Sequence, residues 1–386
     1  MSIEERQKIG LYLHIPFCNA RCSYCDFCTT VSSKHQAEYL PALRKELKLW
    51  RKKLPEDTVL SSIYFGGGTP TVLEAKSLAQ FLEDIFDLFP VEEGAEVSTE
   101  ANPEDGSEES LAILRQAGFN RLSFGMQSAI PKELELLGRR HTAEQVSKAV
   151  ENARRAGFSD ISLDLMLGIP EQSLDSLGES LNFVLAEPIT HLSAYMLTLE
   201  ENTVLYKKRD AFHFPEEERV AEMYLMLVEK LRKAGFAQYE ISNFAKDGKI
   251  SRHNLSYWEQ KPYLGLGPDA HSYLEGKRFF YPRHIGKFIE QAGTECSYQE
   301  EESGGLWEYL MLRLRLVEGI CREDGMKKDA KFSTTFEKLV ENARPLAKHG
   351  LCTISENQIS LTPKGFLLSN HVTLAILDGI DEQTSV

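Results

Sequence analysis

Strand and helix signals alternate six times along the first 235 or so residues, and this alternation constrains the fold more than any other feature. Apolar, β-branched or aromatic runs occur at Ile9–Ile15, Val59–Phe65, Ala95–Glu100, Arg121–Met126, Ile161–Leu167 and His191–Leu197. Helical patterns separate them, at Lys34–Lys53, Leu73–Phe89, Ser107–Ala117, Thr142–Ala156, Ser173–Glu187 and Pro215–Ala234. Strands joined through helices pair in parallel, because a parallel neighbour requires a crossover. Three of the helices end alike, in Ala117-Gly118-Phe119, Ala156-Gly157-Phe158 and Ala234-Gly235-Phe236. The Gly serves as a left-handed cap and the Phe re-enters the core. Such a chain is α/β, and periodicity alone leaves an open doubly wound sheet and a partial barrel equally available.

The pattern changes after Phe236. Residues 237–300 are rich in aromatics and turn formers and read as a connecting segment. A strongly apolar helix is expected over Gly305–Val317 and another over Ser333–Lys348. Alternation about Glu356-Asn357 signals a hairpin, and Pro363 opens a last helix at its favoured first position. Helices followed by a small hairpin give a second, smaller α+β domain, winged-helix-like, over 301–380, with the repeated βα units forming a first domain at 1–236. Asp381–Val386 reads as a frayed tail.

Charge narrows the partners. A net charge of −14 lacks the cationic footprint of a nucleic-acid coat or an anionic-membrane binder, so no nucleic acid is expected. No run approaches the roughly 20 apolar residues of a membrane span, and the polar start is not a signal-peptide core. A cytoplasmic protein is therefore expected. Four of the seven cysteines lie between Cys18 and Cys28, and Cys296, Cys321 and Cys352 are scattered. In a reducing compartment clustered thiols serve as metal ligands rather than disulfides.

The cluster segment, Tyr12-Leu-His-Ile-Pro-Phe-Cys18-Asn-Ala-Arg-Cys22-Ser-Tyr24-Cys25-Asp-Phe27-Cys28, directly follows the first strand. Cys18, Cys22 and Cys25 have the spacing C-x3-C-x2-C. Three thiolates can hold three irons of a [4Fe–4S] cluster and leave the fourth iron open to a ligand. A zinc site closed by Cys28, or a cluster held by all four thiolates, also fits the spacing.

The segment resembles the radical S-adenosylmethionine (SAM) superfamily, in its branch of oxygen-independent coproporphyrinogen-III oxidases and haem chaperones. Further segments are similar: Gly66-Gly67-Gly68-Thr69-Pro70, Ser98-Thr99-Glu100-Ala101-Asn102-Pro103, Gly125-Met126-Gln127, Gly138-Arg139-Arg140 and the strand carrying Asp164. The resemblance implies a partial (β/α)6 barrel of the TIM type. It implies a [4Fe–4S] cluster on Cys18, Cys22 and Cys25. It implies SAM contacts from Tyr12, Tyr24, Gly67, Gly68, Thr69, Glu100, Gln127, Arg139 and Asp164.

Within that branch, the oxidases carry a cysteine two positions after the third ligand. Here that position is Phe27, and the next cysteine comes one residue later, at Cys28. The oxidases also have a long segment before the cluster strand, and here Tyr12 stands near the start. His253-Asn254-Leu-Ser-Tyr257-Trp258 and the following Leu264-Gly-Leu-Gly-Pro-Asp-Ala-His271 resemble the haem-chaperone group, HemW. The resemblance implies a haem chaperone ahead of a coproporphyrinogen oxidase or another radical enzyme acting on a tetrapyrrole. Haem would be held by His253, Asn254, Tyr257 and Trp258, a neutral imidazole and flat aromatic surface suiting iron and macrocycle. His271 is the second candidate ligand. Haem, haem-acceptor proteins such as respiratory haem proteins, and an electron donor of the flavodoxin or ferredoxin kind are the implied partners. No catalytic residue is read from the sequence.

Overall fold

The computed structural model describes residues 7–294, 299–301 and 305–380. The expected tail at 381–386 and Cys296 lie outside the described residues. Six βα units come first: β1 (Lys8–Ile15), α1 (Gln36–Lys53), β2 (Val59–Gly67), α2 (Ala75–Leu88), β3 (Val91–Ala101), α3 (Glu108–Ala117), β4 (Arg121–Gln127), α4 (Pro131–Leu137), α5 (Ala143–Arg155), β5 (Asp160–Leu167), α6 (Leu174–Ala186), β6 (His191–Met196), α7 (Val204–Lys207) and α8 (Glu217–Lys233). Strands β1 to β6 pair in parallel and in sequence order. All six expected strands and six expected helices form, with ends moved by a few residues. The additional helix α4 carries its own signals, Pro131 at its first position and Gly138 in the left-handed conformation at its end.

The strands bury Val, Ile, Leu and Phe beneath the helices, as in β2, where Leu60, Ile63 and Phe65 are fully buried. Polar side chains face the other way. Tyr64 of β2, Glu100 of β3, Ser123 of β4, Asp164 of β5 and Tyr195 of β6 line one shared chamber. Side chains from five successive strands meet only if the sheet curls, so the parallel sheet is barrel-like while remaining unclosed.

The segment after residue 236 keeps the sheet open. It contributes β7 (Ala237–Gln238), β8 (Asn243–Ala245), α9 (Arg252–Trp258), β9 (Tyr263–Leu266), β10 (His271–Leu274), β11 (Lys277–Phe280), α10 (Ile285–Gln291) and β12 (Gln299–Glu301). Strand β9 lies parallel to β1 on its free edge, and β8 runs antiparallel to β6 on the other edge. The result is one sheet of twelve strands, β12-β11-β10-β9-β1-β2-β3-β4-β5-β6-β8-β7. The expected connector is therefore the flanks of the sheet. Helix α9 crosses beneath β2 and β3, with the buried Glu96 carboxylate receiving the Arg252 N–H at 2.8 Å and the His253 N–H at 3.2 Å.

The remainder comprises α11 (Leu306–Arg313), β13 (Ile320–Cys321), α12 (Arg322–Lys328), α13 (Phe332–Lys348), β14 (Cys352–Ile354), β15 (Gln358–Leu361), α14 (Pro363–Leu367) and α15 (Ser369–Ile376). A small antiparallel sheet, β13-β15-β14, carries the expected hairpin, in the element order of a winged helix. The helix expected to reach Val317 stops at Arg313. Beyond it the backbone turns back to the flank, where Ile241 N–H donates to the Arg315 carbonyl and Val317 N–H to that of Tyr239. Cys352 is a buried thiol, whereas Cys321 is half-buried.

Candidate functional site

A cavity of about 640 Å³ opens at the C-terminal ends of the parallel strands. In barrel-like α/β folds this is the end where loops gather chemistry. The loop after β1 brings Cys18, Cys22, Cys25 and Tyr24 to its wall. Two donors already point at these sulfurs. Thr69 Oγ1 lies 3.6 Å from Cys18 Sγ, and an Arg139 amino group lies 3.4 Å from Cys22 Sγ. Burial pushes the Cys18 thiol up to about 11 and raises that of Cys25 as well. Such thiols stay protonated until a metal displaces the proton. Three sulfurs on one wall, with donors aimed at two of them, fit a metal cluster. Cys28 does not line this cavity and is buried.

The opposite wall comes from the strand ends. Gly67 takes φ +103°, a conformation a side chain rarely adopts. A Cβ on Gly68 would lie 2.7 Å from the carbonyl oxygens of Ile15 and Phe17. These two glycines let the β2 end press against the start of the cysteine loop. Glu100 accepts from Tyr64 Oη at 2.8 Å and from the Gly67 N–H at 3.1 Å. Burial nevertheless pushes its carboxyl up to about 7, and that of Asp164, which accepts from Ser123 at 3.1 Å, to about 6. Gln127, at φ +66°, has a buried side-chain oxygen with no hydrogen-bond partner among the described residues. An orphaned acceptor and two poorly solvated carboxyls on one wall await a ligand with N–H donors or positive charge. The methionyl ammonium and sulfonium of SAM match that demand, so the residues present fit the group.

Tyr24, Gly67, Gly68, Thr69, Glu100, Gln127, Arg139 and Asp164 all line this cavity. Tyr12 does not. Its hydroxyl turns inward to His14 Nδ1 at 3.1 Å, and its ring packs with Tyr64 and His253 below the cavity. As an inward-facing residue of β1, Tyr12 is set back from the cavity expected to hold the ligand. Asn102 was passed over, although it stands in the quoted Glu100 segment. It bridges Thr69 Oγ1, at 3.0 Å, and an Arg139 amino group, at 2.9 Å. Tyr195, Met166, Met196 and Leu197 complete the wall, and nothing in their local sequence marks them.

The expected haem residues sit elsewhere. His253 is fully buried, with Nδ1 2.8 Å from Ser62 Oγ and Nε2 2.7 Å from Tyr257 Oη. Its ring stacks on Tyr64 at 5.1 Å, and burial drives its pKa down to about 3. Tyr257 packs edge-on against Tyr263 at 4.5 Å. Asn254 lines the small polar chamber beneath the main cavity, and Trp258 is half-buried at the end of α9. Both imidazole nitrogens are engaged in hydrogen bonds and the ring is fully buried in this structure. His271 is exposed and stacks on Phe280 at 5.3 Å.

Comparison with known proteins bears on the whole chain. Residues 12–184 match the radical SAM superfamily and 306–368 the HemN C-terminal domain. A curated relative from Bacillus subtilis, heme chaperone HemW, is 37% identical over 376 residues, 95% of this chain and 98% of that one. The chain belongs to the HemW family of the radical SAM superfamily. The HemW of Lactococcus lactis is 34% identical over 94% of this chain and 95% of that one. A mitochondrial relative from Bos taurus, radical S-adenosyl methionine domain-containing protein 1, is 39% identical over 97% of this chain and 89% of that one. Among solved structures, the HemN coproporphyrinogen III oxidase of Escherichia coli superposes with a TM-score of 0.83 at 23% identity, covering 96% of this chain and 90% of that one. The last likeness concerns the fold. Membership in the HemW family implies a [4Fe–4S] cluster, SAM and haem, and the cavity described above has residues suited to the first two. No helix among the described residues is long and apolar enough to cross a membrane.

Proposed function

We propose that this chain is a haem chaperone that acts in the cytoplasm. It holds a [4Fe–4S] cluster on Cys18, Cys22 and Cys25, binds SAM against the strand ends, and passes haem to acceptor proteins such as respiratory haem proteins. The observation that carries this reading is the end-to-end likeness to HemW of Bacillus subtilis. Bound in this cavity, the cluster supplies an open iron site and a reducing electron, which a flavodoxin or ferredoxin replenishes. Glu100 and Asp164 receive the ligand's positive charge, and Gln127 supplies its orphaned oxygen. Gly67 and Gly68 offer backbone close to the ligand, Thr69 and Arg139 hold the cysteine loop beside it, and Tyr24 covers its flat ring.

The test is anaerobic reconstitution followed by haem titration and transfer to an apo-cytochrome. Brown protein that binds haem and delivers it is the expected result. Colourless, zinc-loaded protein would exclude the cluster.

A second reading, coproporphyrinogen oxidation, is favoured only by the HemN-like fold. Phe27 stands where that group carries a cysteine. Protoporphyrinogen formed from coproporphyrinogen with SAM and reductant would overturn the chaperone reading.

A further inference from the structure

Gly67 and Gly68 let the end of β2 meet the cysteine loop, and the first glycine of the triplet has a different duty. Gly66 lies outside the left-handed region, so its backbone tolerates a side chain. A Cβ there would nevertheless lie 2.7 Å from Tyr64 Cε1 and 2.9 Å from Glu100 Oε1. The missing side chain makes room for this pair. Tyr64 Oη donates to Glu100 Oε1 at 2.8 Å, and the Gly67 N–H donates to Glu100 Oε2 at 3.1 Å. Each carboxylate oxygen thus has one donor, and both bonds favour the ionised form against the cost of burial. The other groups facing Glu100 give it no such help. Asp164 of β5 opposes a second negative charge, and Tyr12 of β1, Tyr195 of β6 and Tyr257 of α9 are phenols held neutral. Arg121 of β4 lines the small chamber with Glu100, but its guanidinium is paired with Asp160 at 2.8 Å.

The Tyr64 ring is held from the side of α9. It stacks on His253 at 5.1 Å, with the planes 24° apart, and Tyr12 packs beside it at 6.2 Å. His253 is anchored in turn by Ser62 Oγ at 2.8 Å and by Tyr257 Oη at 2.7 Å. Gly10 leaves space on the β1 side, where a Cβ would lie 3.2 Å from Ser62 Oγ and 3.4 Å from the His253 ring. A line of contacts therefore runs from the start of α9 through Tyr64 to a carboxylate on the cavity wall. Tyr64 itself does not line the cavity, so it bears on a ligand there through Glu100.

We propose that Tyr64 is a positioning residue for SAM: its hydroxyl fixes the Glu100 carboxylate at the cavity wall, and His253 fixes the ring that carries the hydroxyl. The inference rests on the reading of Glu100 as a SAM contact and adds what holds that carboxylate in place. It also gives His253 a bearing on the SAM site that is separate from haem binding by the α9 motif.

The experiment measures SAM affinity by calorimetry between pH 6 and pH 9 on the full-length, cluster-loaded, haem-free protein, with affinities taken per folded molecule. Tyr64→Phe keeps the ring and removes the donor. It is expected to move the midpoint of the pH profile up by about one unit and to weaken SAM about fivefold at pH 7, with the loss shrinking toward pH 9. Gly66→Ala keeps both side chains and forces them apart, and it should move the midpoint in the same direction. His253→Ala should weaken SAM about threefold in the wild-type background and add nothing in the Tyr64→Phe background, because its effect passes through the lost hydroxyl. A midpoint unmoved in both Tyr64→Phe and Gly66→Ala, or a loss equal at every pH, would overturn the role of Tyr64. Additive losses in the double variant Tyr64→Phe with His253→Ala would overturn the role of His253. A wild-type pH profile in Glu100→Gln would overturn the reading of Glu100 itself, and the inference with it.

Discussion

Two buried groups show how position, rather than residue type, decides a role. Glu100 and Asp164 sit on one wall, and burial raises both carboxyls, to about 7 and about 6. A carboxyl meets an ammonium or sulfonium best when ionised. At pH 6 Glu100 is mainly protonated, and by pH 8 it is mainly ionised. SAM affinity should therefore rise about tenfold between pH 6 and pH 8, with proton release on binding. Calorimetry in two buffers of different ionisation enthalpy measures both; Glu100→Gln should flatten the profile, and an unchanged slope in that variant would exclude Glu100 as the titrating group. His253 illustrates the converse. Its motif reads as a ligand, yet the ring fills the space between Ser62, Tyr64 and Tyr257. His253→Ala removes a buried ring and strands two hydroxyls, a loss of about 3 kcal/mol. Urea unfolding should show that loss. That Cys18, Cys22, Cys25, Gly67, Gly68 and Glu100 would meet at one cavity was legible because they stand at or just after strand ends of the βα units. The placement of Tyr12 and His253 outside its lining was not legible, because whether a strand or helix residue faces a cavity depends on the layer above it.

At the scale of elements, the six βα units were legible because hydrophobic period and glycine caps are local signals. Helix α9 and strands β9 to β11 were missed. Each is seven residues or fewer and is stabilised by what it docks on rather than by its own pattern. Helix α9 depends on one carboxylate. Glu96 is 3% exposed and receives the N–H groups of Arg252 and His253 at the helix start, where negative charge is favoured. A shorter side chain does not reach the two donors, and Gln of the same length offers one acceptor oxygen where Glu96 uses two. Glu96→Ala should cost about 2–3 kcal/mol. Amide hydrogen exchange should accelerate first over 251–258, ahead of the rest of the sheet. Uniform acceleration across β1 to β6 would show that Glu96 supports the sheet as a whole rather than α9.

At the scale of the molecule, the C-terminal region is bound to the barrel-like sheet by more than a linker. The apolar core runs without a break from Leu11 and Phe65 in the sheet to Leu310, Phe336 and Ile376 beyond it. Backbone bonds from Ile241 and Val317 tie α11's exit to the flank of the sheet, and Arg278 of β11 pairs with Glu308 of α11. Composition announced a change of pattern at residue 237 and suggested separable pieces. It did not announce a shared core, because continuity of a core depends on which faces meet in space. Two regions that share buried surface lose it together when either one is removed. The full chain should therefore melt in one transition, with fluorescence and circular dichroism curves that coincide. A chain ending at residue 300 would expose the apolar flank of β7 and β8 and the underside of β10 and β11, and it should express as an insoluble or ANS-binding protein. A soluble truncated form with its own sharp melt, retaining cluster and SAM binding, would show instead that the sheet and the C-terminal region fold independently.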